Sequence, residues 1–151
     1  MRRVFVVTLA AVLLLSASLA AGEAEIGKEK DAIVKVIENA YIKGVHTEWD
    51  ADAARAGFHP EFIMFILDKG GIRKLSIAEW ADSIEQNKLN RPEGPQYEIT
   101  YEIPMVDITG DAAVAKIELY KDGTHIFTDY MSLYKFADGW RIVGKIFHRH
   151  V

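Results

Sequence analysis

Asp129 is the residue of this chain best placed to do chemistry. It sits in the run Thr124 to Phe136, where strand alternation puts Phe127, Asp129, Met131 and Leu133 on one face. A carboxylate among apolar side chains is expensive to bury unless it has a partner. It is therefore either a general base or ligand anchor, or a structural carboxylate bonded to a helix group or paired with Lys145. Tyr41 is the second candidate. It lies on the apolar stripe of the first helix, where its hydroxyl either donates to a ligand oxygen or bonds Asp129 or a backbone group. His59, just before Pro60, is either a base at the mouth of a pocket or a turn element whose ring caps a neighbour. Trp49 and Trp80, on inner helix faces, are core packing or the flat apolar walls that small-molecule sites use. Lys145 either pairs with Asp129 or stands solvated on the outer face of its strand.

Metal and cofactor chemistry find less support. His148 and His150 share a strand face, and His46 and His125 add further imidazoles. No third ligand follows at useful spacing, so a frayed terminus accounts for the pair better and no metal is expected. There is no G-x-S-x-G, no glycine-rich phosphate loop and no H-E-x-x-H, so nucleophilic hydrolysis and nucleotide binding have no footing and no cofactor is expected.

The elements that must position these residues follow from periodicity. Ile33, Ile37, Tyr41, Val45 and Trp49 recur at i+4, a helical stripe. Asp50 caps a short second helix through Asp52 to Arg55, closed by Phe58-His59-Pro60. Phe62 to Leu67 and Ile72 to Leu75 are short strands around Asp68-Lys69-Gly70-Gly71. Ser76 and Glu79 form a capping box for a helix reaching about Lys88, with Ile77, Trp80, Ala81 and Ile84 on its inner face. From Tyr97 the period switches to two, and four long strands follow, turning at Gly110-Asp111, Asp122-Gly123 and Asp138-Gly139. The last pair predicts a type I′ hairpin with both central residues at positive φ. Helices segregated from an antiparallel meander give an α+β domain, three helices on one face of a curved antiparallel sheet.

The start of the chain reads differently. Arg2 and Arg3 precede an almost wholly apolar run from Val4 to Leu15, and Ser18-Leu19-Ala20 is a small-x-small cleavage site. Residues 1–21 therefore read as a signal peptide and 22–151 as the mature domain, secreted or periplasmic, without a membrane anchor after cleavage. With no cysteine in the chain, disulfides and thiol chemistry are excluded. The formal net charge is −4, with acidic and basic residues interspersed, which argues against a nucleic-acid partner.

Tyr41-x-x-Gly44, Phe58-His59-Pro60, Gly110-Asp111-Ala112-Ala113, Phe127-Thr128-Asp129-Tyr130 and Gly139-Trp140-x-Ile142-Val143-x-Lys145 occur in that order over nearly all of residues 22–151. In this arrangement the chain resembles the nuclear-transport-factor-2-like superfamily, most closely its putative lumazine-binding branch, with ketosteroid isomerase and polyketide cyclase as relatives. The resemblance implies a cone-like fold, a pocket between helices and sheet, and a homodimer across the outer sheet face. Tyr120, Tyr130 and Tyr134 suit such an interface.

Three functions follow as expectations. The first is binding of a small, mostly apolar molecule in a pocket lined by Tyr41, Trp49, His59, Trp80, Phe127, Asp129 and Lys145. The second is proton transfer, isomerase- or dehydratase-like, with Asp129 as base and Tyr41 or His59 as electrophile. For this the chain lacks the separately placed second carboxylate of ketosteroid isomerase. The third is a dimeric interaction module whose cone is plugged by Trp49, Trp80, Phe62 and Phe65.

Overall fold

The computed structural model describes residues 22–150. The segment expected to be a signal peptide lies outside the described residues. Among those described, no helix is long and apolar enough to cross a membrane.

The first helix (α1) is α-helical over residues 22–36 and continues as a π-helix over Ile37–Thr47. The stripe explains the change. With 3.6 residues per turn, a strict i+4 repeat drifts by ~40° each step, and a wider turn absorbs the drift. Ile33, Ile37, Tyr41 and Val45 thus stay on one buried face. Asp50 caps α2 (Ala51–Gly57) by accepting from the Ala53 N–H at 2.9 Å. The capping box of Ser76 and Glu79 opens α3 (Ile77–Asn90). Gly44 is where α1 meets α2: a Cβ there would stand 2.9 Å from the Ala54 backbone nitrogen.

The strands are β1 (Phe58–Asp68), β2 (Gly71–Ser76), β3 (Ile99–Thr109), β4 (Ala112–Lys121), β5 (Thr124–Phe136) and β6 (Gly139–Arg149), in the sheet order β2-β1-β6-β5-β4-β3. Four neighbouring pairs are antiparallel, but β1 runs parallel to β6, so the sheet is mixed rather than wholly antiparallel. The cause is connectivity: β1 forms a hairpin with β2 on one side and on the other meets the last strand, β6, which is distant in sequence. Register shifts in β1/β6, β3/β4, β4/β5 and β5/β6 curve the sheet without closing it. The core lies in the concavity, where Ile33, Ile37 and Tyr41 of α1 and Ile84 of α3 meet Phe62, Ile117, Leu119, Met131, Leu133 and Ile142.

The β5/β6 turn corrects one expectation. Phe136 pairs with Gly139, so the loop residues are Ala137 and Asp138. Only Gly139 has positive φ, at 121°. An alanine resists positive φ, so a type I′ turn, which needs it at both central residues, does not form here. At Asp122-Gly123 both residues do have positive φ, 47° and 76°.

Candidate functional site

Asp129 projects from β5 into the concavity and is fully buried. The Tyr41 hydroxyl donates to its Oδ2 at 2.5 Å. The Lys145 ammonium, from β6, lies 2.7 Å from Oδ1 and donates to the Tyr41 oxygen at 2.9 Å. The Lys145 contact is a buried ion pair that occupies Oδ1. Lys145 is also surrounded by rings, its Nζ lying 4.6 Å from the Tyr41 centroid, 5.0 Å from Phe147, 5.4 Å from Trp80 and 5.9 Å from Phe127. The π-faces add attraction for a cation removed from water.

Burial shifts the protons of this group. It raises the Tyr41 phenol well above its ordinary value, with the Asp129 charge adding to the effect, so Tyr41 stays a neutral donor. It lowers the Lys145 ammonium, and Asp129 opposes that shift. His46 stands edge-on to Tyr41 with ring centroids 4.7 Å apart, and its buried Nε2 has no partner among the described residues. Burial pushes its imidazole down to about 3, with the Lys145 charge adding to the effect, so it is neutral.

Two backbone irregularities assemble the group. In β6, Ile142 faces inward, and strict alternation would send Lys145 outward. The register jumps from Leu133↔Ile142 to Ser132↔Gly144, so Val143 is the extra residue of a bulge. Beyond it Lys145 and Phe147 face inward, opposite Met131 and Asp129. The solvated lysine is thereby overturned: Lys145 is only 6% exposed. In α1 the π-turn makes residues five apart neighbours, which puts His46 beside Tyr41. His46 and Phe147 belong to this group without having been singled out. The signal for the bulge was Gly144 interrupting a β-rich run directly after two adjacent apolar residues.

The other expected residues divide. Trp80 is half-buried and joins the group, near-parallel to Phe62 at 6.1 Å and tilted on Tyr41 at 6.1 Å. Phe127 joins it too, edge-on to Phe147 at 5.3 Å. His59 does not. Its Nδ1 accepts from the Glu61 N–H at 3.1 Å and its ring stacks on Phe136 at 4.8 Å, the turn-element role. Trp49 also lies apart, at the C-terminal end of α1 with φ +51° and the Arg91 guanidinium 4.8 Å above its ring. It borders a surface cleft shared with Glu48, Asp50, Asp52, Glu85 and Lys88. Of the four proposed plugs, Phe62 is fully buried, whereas Phe65 points to the outer face and is 38% exposed.

An opening lies next to the group. Pairing between β1 and β6 ends at Met64↔Lys145. Beyond that point the strands part around a cleft of about 430 Å³, lined by Ile66, Leu67, Asp68, Arg73, Phe147, His148 and Arg149. Phe147 thus touches the Lys145 environment on one side and the cleft on the other. On the outer face, Phe65, Met105, Val114, Tyr130 and Ile146 surround a shallow apolar cleft of about 380 Å³.

The outer face also gathers histidines. The His125 Nε2 lies 2.9 Å from the Glu118 Oε2, and the His125 and His150 rings stack at 3.8 Å. The end of the chain is not frayed here: the His150 N–H donates to the Ile126 carbonyl at 3.0 Å, extending the ladder.

A family described as putative lumazine-binding matches residues 28–148. The structure is similar to an NTF2-like protein of unknown function from Silicibacter pomeroyi, at 19% identity and a TM-score of 0.68, over 83% of this chain and 98% of that one. An NTF2-like protein of unknown function from Shewanella baltica matches at 26% identity and a TM-score of 0.65, over 82% of this chain and 95% of that one. One from Methylobacillus flagellatus matches at 24% identity and a TM-score of 0.62, over 82% and 94%. No curated protein matches.

Proposed function

This chain belongs to the putative lumazine-binding family, and we propose that it binds a small molecule at the parting of β1 and β6, beside the Tyr41–Asp129–Lys145 group. The observation that carries this is the double placement of Phe147, which walls a cleft of about 430 Å³ and packs against the buried ammonium. That volume lies within the range of small-molecule sites, roughly 300–1,000 Å³. Ile66 and Phe147 offer an apolar wall, Arg73 and Arg149 offer cations, and Asp68 offers a carboxylate. A flat ligand carrying polar groups fits this mixed lining better than a wholly apolar one. The buried group packs behind that wall, with the Lys145 ammonium 5.0 Å from the Phe147 ring.

Binding fits the geometry better than proton transfer. A base must reach its substrate with a free oxygen, yet Tyr41 takes Oδ2 and Lys145 faces Oδ1. Titration with lumazine as a probe, followed by quenching of tryptophan fluorescence, tests the reading. Saturable quenching that weakens at least tenfold in both Phe147→Ala and Arg149→Gln supports it. Saturable quenching indifferent to both substitutions, or turnover that depends on Asp129, counts against it.

The same reading includes export and a homodimer. Export rests on the apolar run of residues 4–15 and the Ser18-Leu19-Ala20 site. N-terminal sequencing of the periplasmic or secreted protein should begin at residue 21 or 22, and an intact Met1 would refute it. The dimer rests on the apolar outer surface, where Tyr130 is 45% exposed and Ile146 55%. Light scattering should give twice the chain mass, falling to the single mass in Tyr130→Glu. A wild-type monomer at micromolar concentration would refute it.

A further inference from the structure

We propose that Glu118, His125 and His150 form a binding site for a zinc-class divalent cation on the outer face of the sheet. One carboxylate oxygen and one nitrogen from each imidazole all lie within 4.8 Å of one another. Three strands bring them together. Glu118 in β4 pairs with Thr128 in β5, and Thr128 pairs with His148 in β6. His125 reaches this face only because the β4/β5 register shifts between Leu119 and Tyr120, which turns it to the same side as Glu118. His150 is fixed by its backbone bond to Ile126. The ring planes of His125 and His150 are within 27° of parallel, so both project the same edge toward Glu118.

The donor set is specific in kind. Two imidazoles and a carboxylate suit zinc and its neighbours, whereas magnesium and calcium take oxygen ligands. Three protein ligands leave a fourth position for water or an exogenous ligand, the open arrangement. Supporting contacts surround the set. The Lys116 ammonium sits 2.6 Å from Glu118 Oε1, which leaves Oε2 to face the histidines. The Thr128 hydroxyl, only 8% exposed, donates to Oε2 and lies 2.9 Å from His150 Nε2 and 3.4 Å from His125 Nε2. It is a positioning residue that touches all three ligands.

The test is titration of the whole purified protein with Zn²⁺ by calorimetry, and with Co²⁺ by visible absorption. Expected are one zinc per chain and the intense Co²⁺ bands of a four-coordinate site. His125→Gln and His150→Gln should each weaken binding at least tenfold, and Thr128→Val about tenfold to a hundredfold as a supporting contact. His59→Gln, which removes a histidine away from the cluster, should leave affinity unchanged. If the histidine variants fail to fold, the wild-type Co²⁺ spectrum still decides. Absence of saturable binding, a six-coordinate Co²⁺ spectrum, or affinity retained in both histidine variants would overturn the site.

Discussion

Removing the Lys145 ammonium while leaving Asp129 in place should be one of the most damaging single changes in this domain. Lys145→Met keeps a flexible apolar stem within the cage of Tyr41, Trp80, Phe127 and Phe147. It deletes the charge 2.7 Å from Oδ1 of a carboxylate that has no solvent exposure. Breaking a buried pair in this way costs about 3–5 kcal/mol, because one charge is left uncompensated. For a domain of this size about 1 kcal/mol corresponds to roughly 3–5 °C in Tm, so the variant should melt about 10–20 °C lower. Replacing both partners, Lys145→Met with Asp129→Leu, should recover most of the loss, since hydrophobic replacement of a buried pair is often neutral or better. Urea unfolding of the wild type, the two single variants and the double variant completes a double-mutant cycle. The reasoning is refuted if Lys145→Met costs less than ~1 kcal/mol, or if the double variant loses the sum of the two singles.

Two further outcomes follow from the same interior. Unfolded His46 takes its proton near 6.5, while the folded imidazole resists protonation to about 3, so the unfolded state binds more protons in that window. The stability this contributes is present above about pH 6.5 and is lost as pH falls, by up to ~1.4 kcal/mol per pH unit. Unfolding titrations from pH 7 to pH 4 should show this slope and a flatter one in His46→Leu; equal slopes would discard His46 as the source. Gly44→Ala should cost about 1–3 kcal/mol, because its methyl group would meet the backbone of Ala54 rather than a yielding side chain. A thermal scan showing an unchanged Tm would contradict the close approach of α1 and α2.

Much of this architecture was legible in the sequence. The capping box at Ser76 and Glu79, the Asp50 cap and the alternation from Tyr97 onward each reflect a local physical preference, and each element formed where that preference lay. Asp129 and Tyr41 could be paired in advance because each lay on the inward stripe of its own element. Lys145 and His46 could not be placed the same way. Their positions depend on a bulge and a π-turn, which break the periods of two and 3.6 on which pattern reasoning rests. The proposed cation cluster is not legible in the sequence for a related reason. Glu118 and His125 come together across the β4/β5 hairpin only through a register shift, and His150 joins them from 32 residues beyond Glu118. Trp49 and His59 carried the right chemistry in the wrong place, one at the end of α1 and the other bonded within its own turn.

The central claim is that a small molecule occupies the cleft where β1 and β6 part, against Phe147. Native mass spectrometry of the protein purified from its own cells, beside Phe147→Ala prepared identically, tests it most directly. The account predicts a reproducible added mass of small-molecule size on the wild type, lost under denaturing conditions and absent from the variant. An adduct of the same mass and occupancy on both proteins would contradict it, as would bare wild-type protein that also fails to saturate with lumazine.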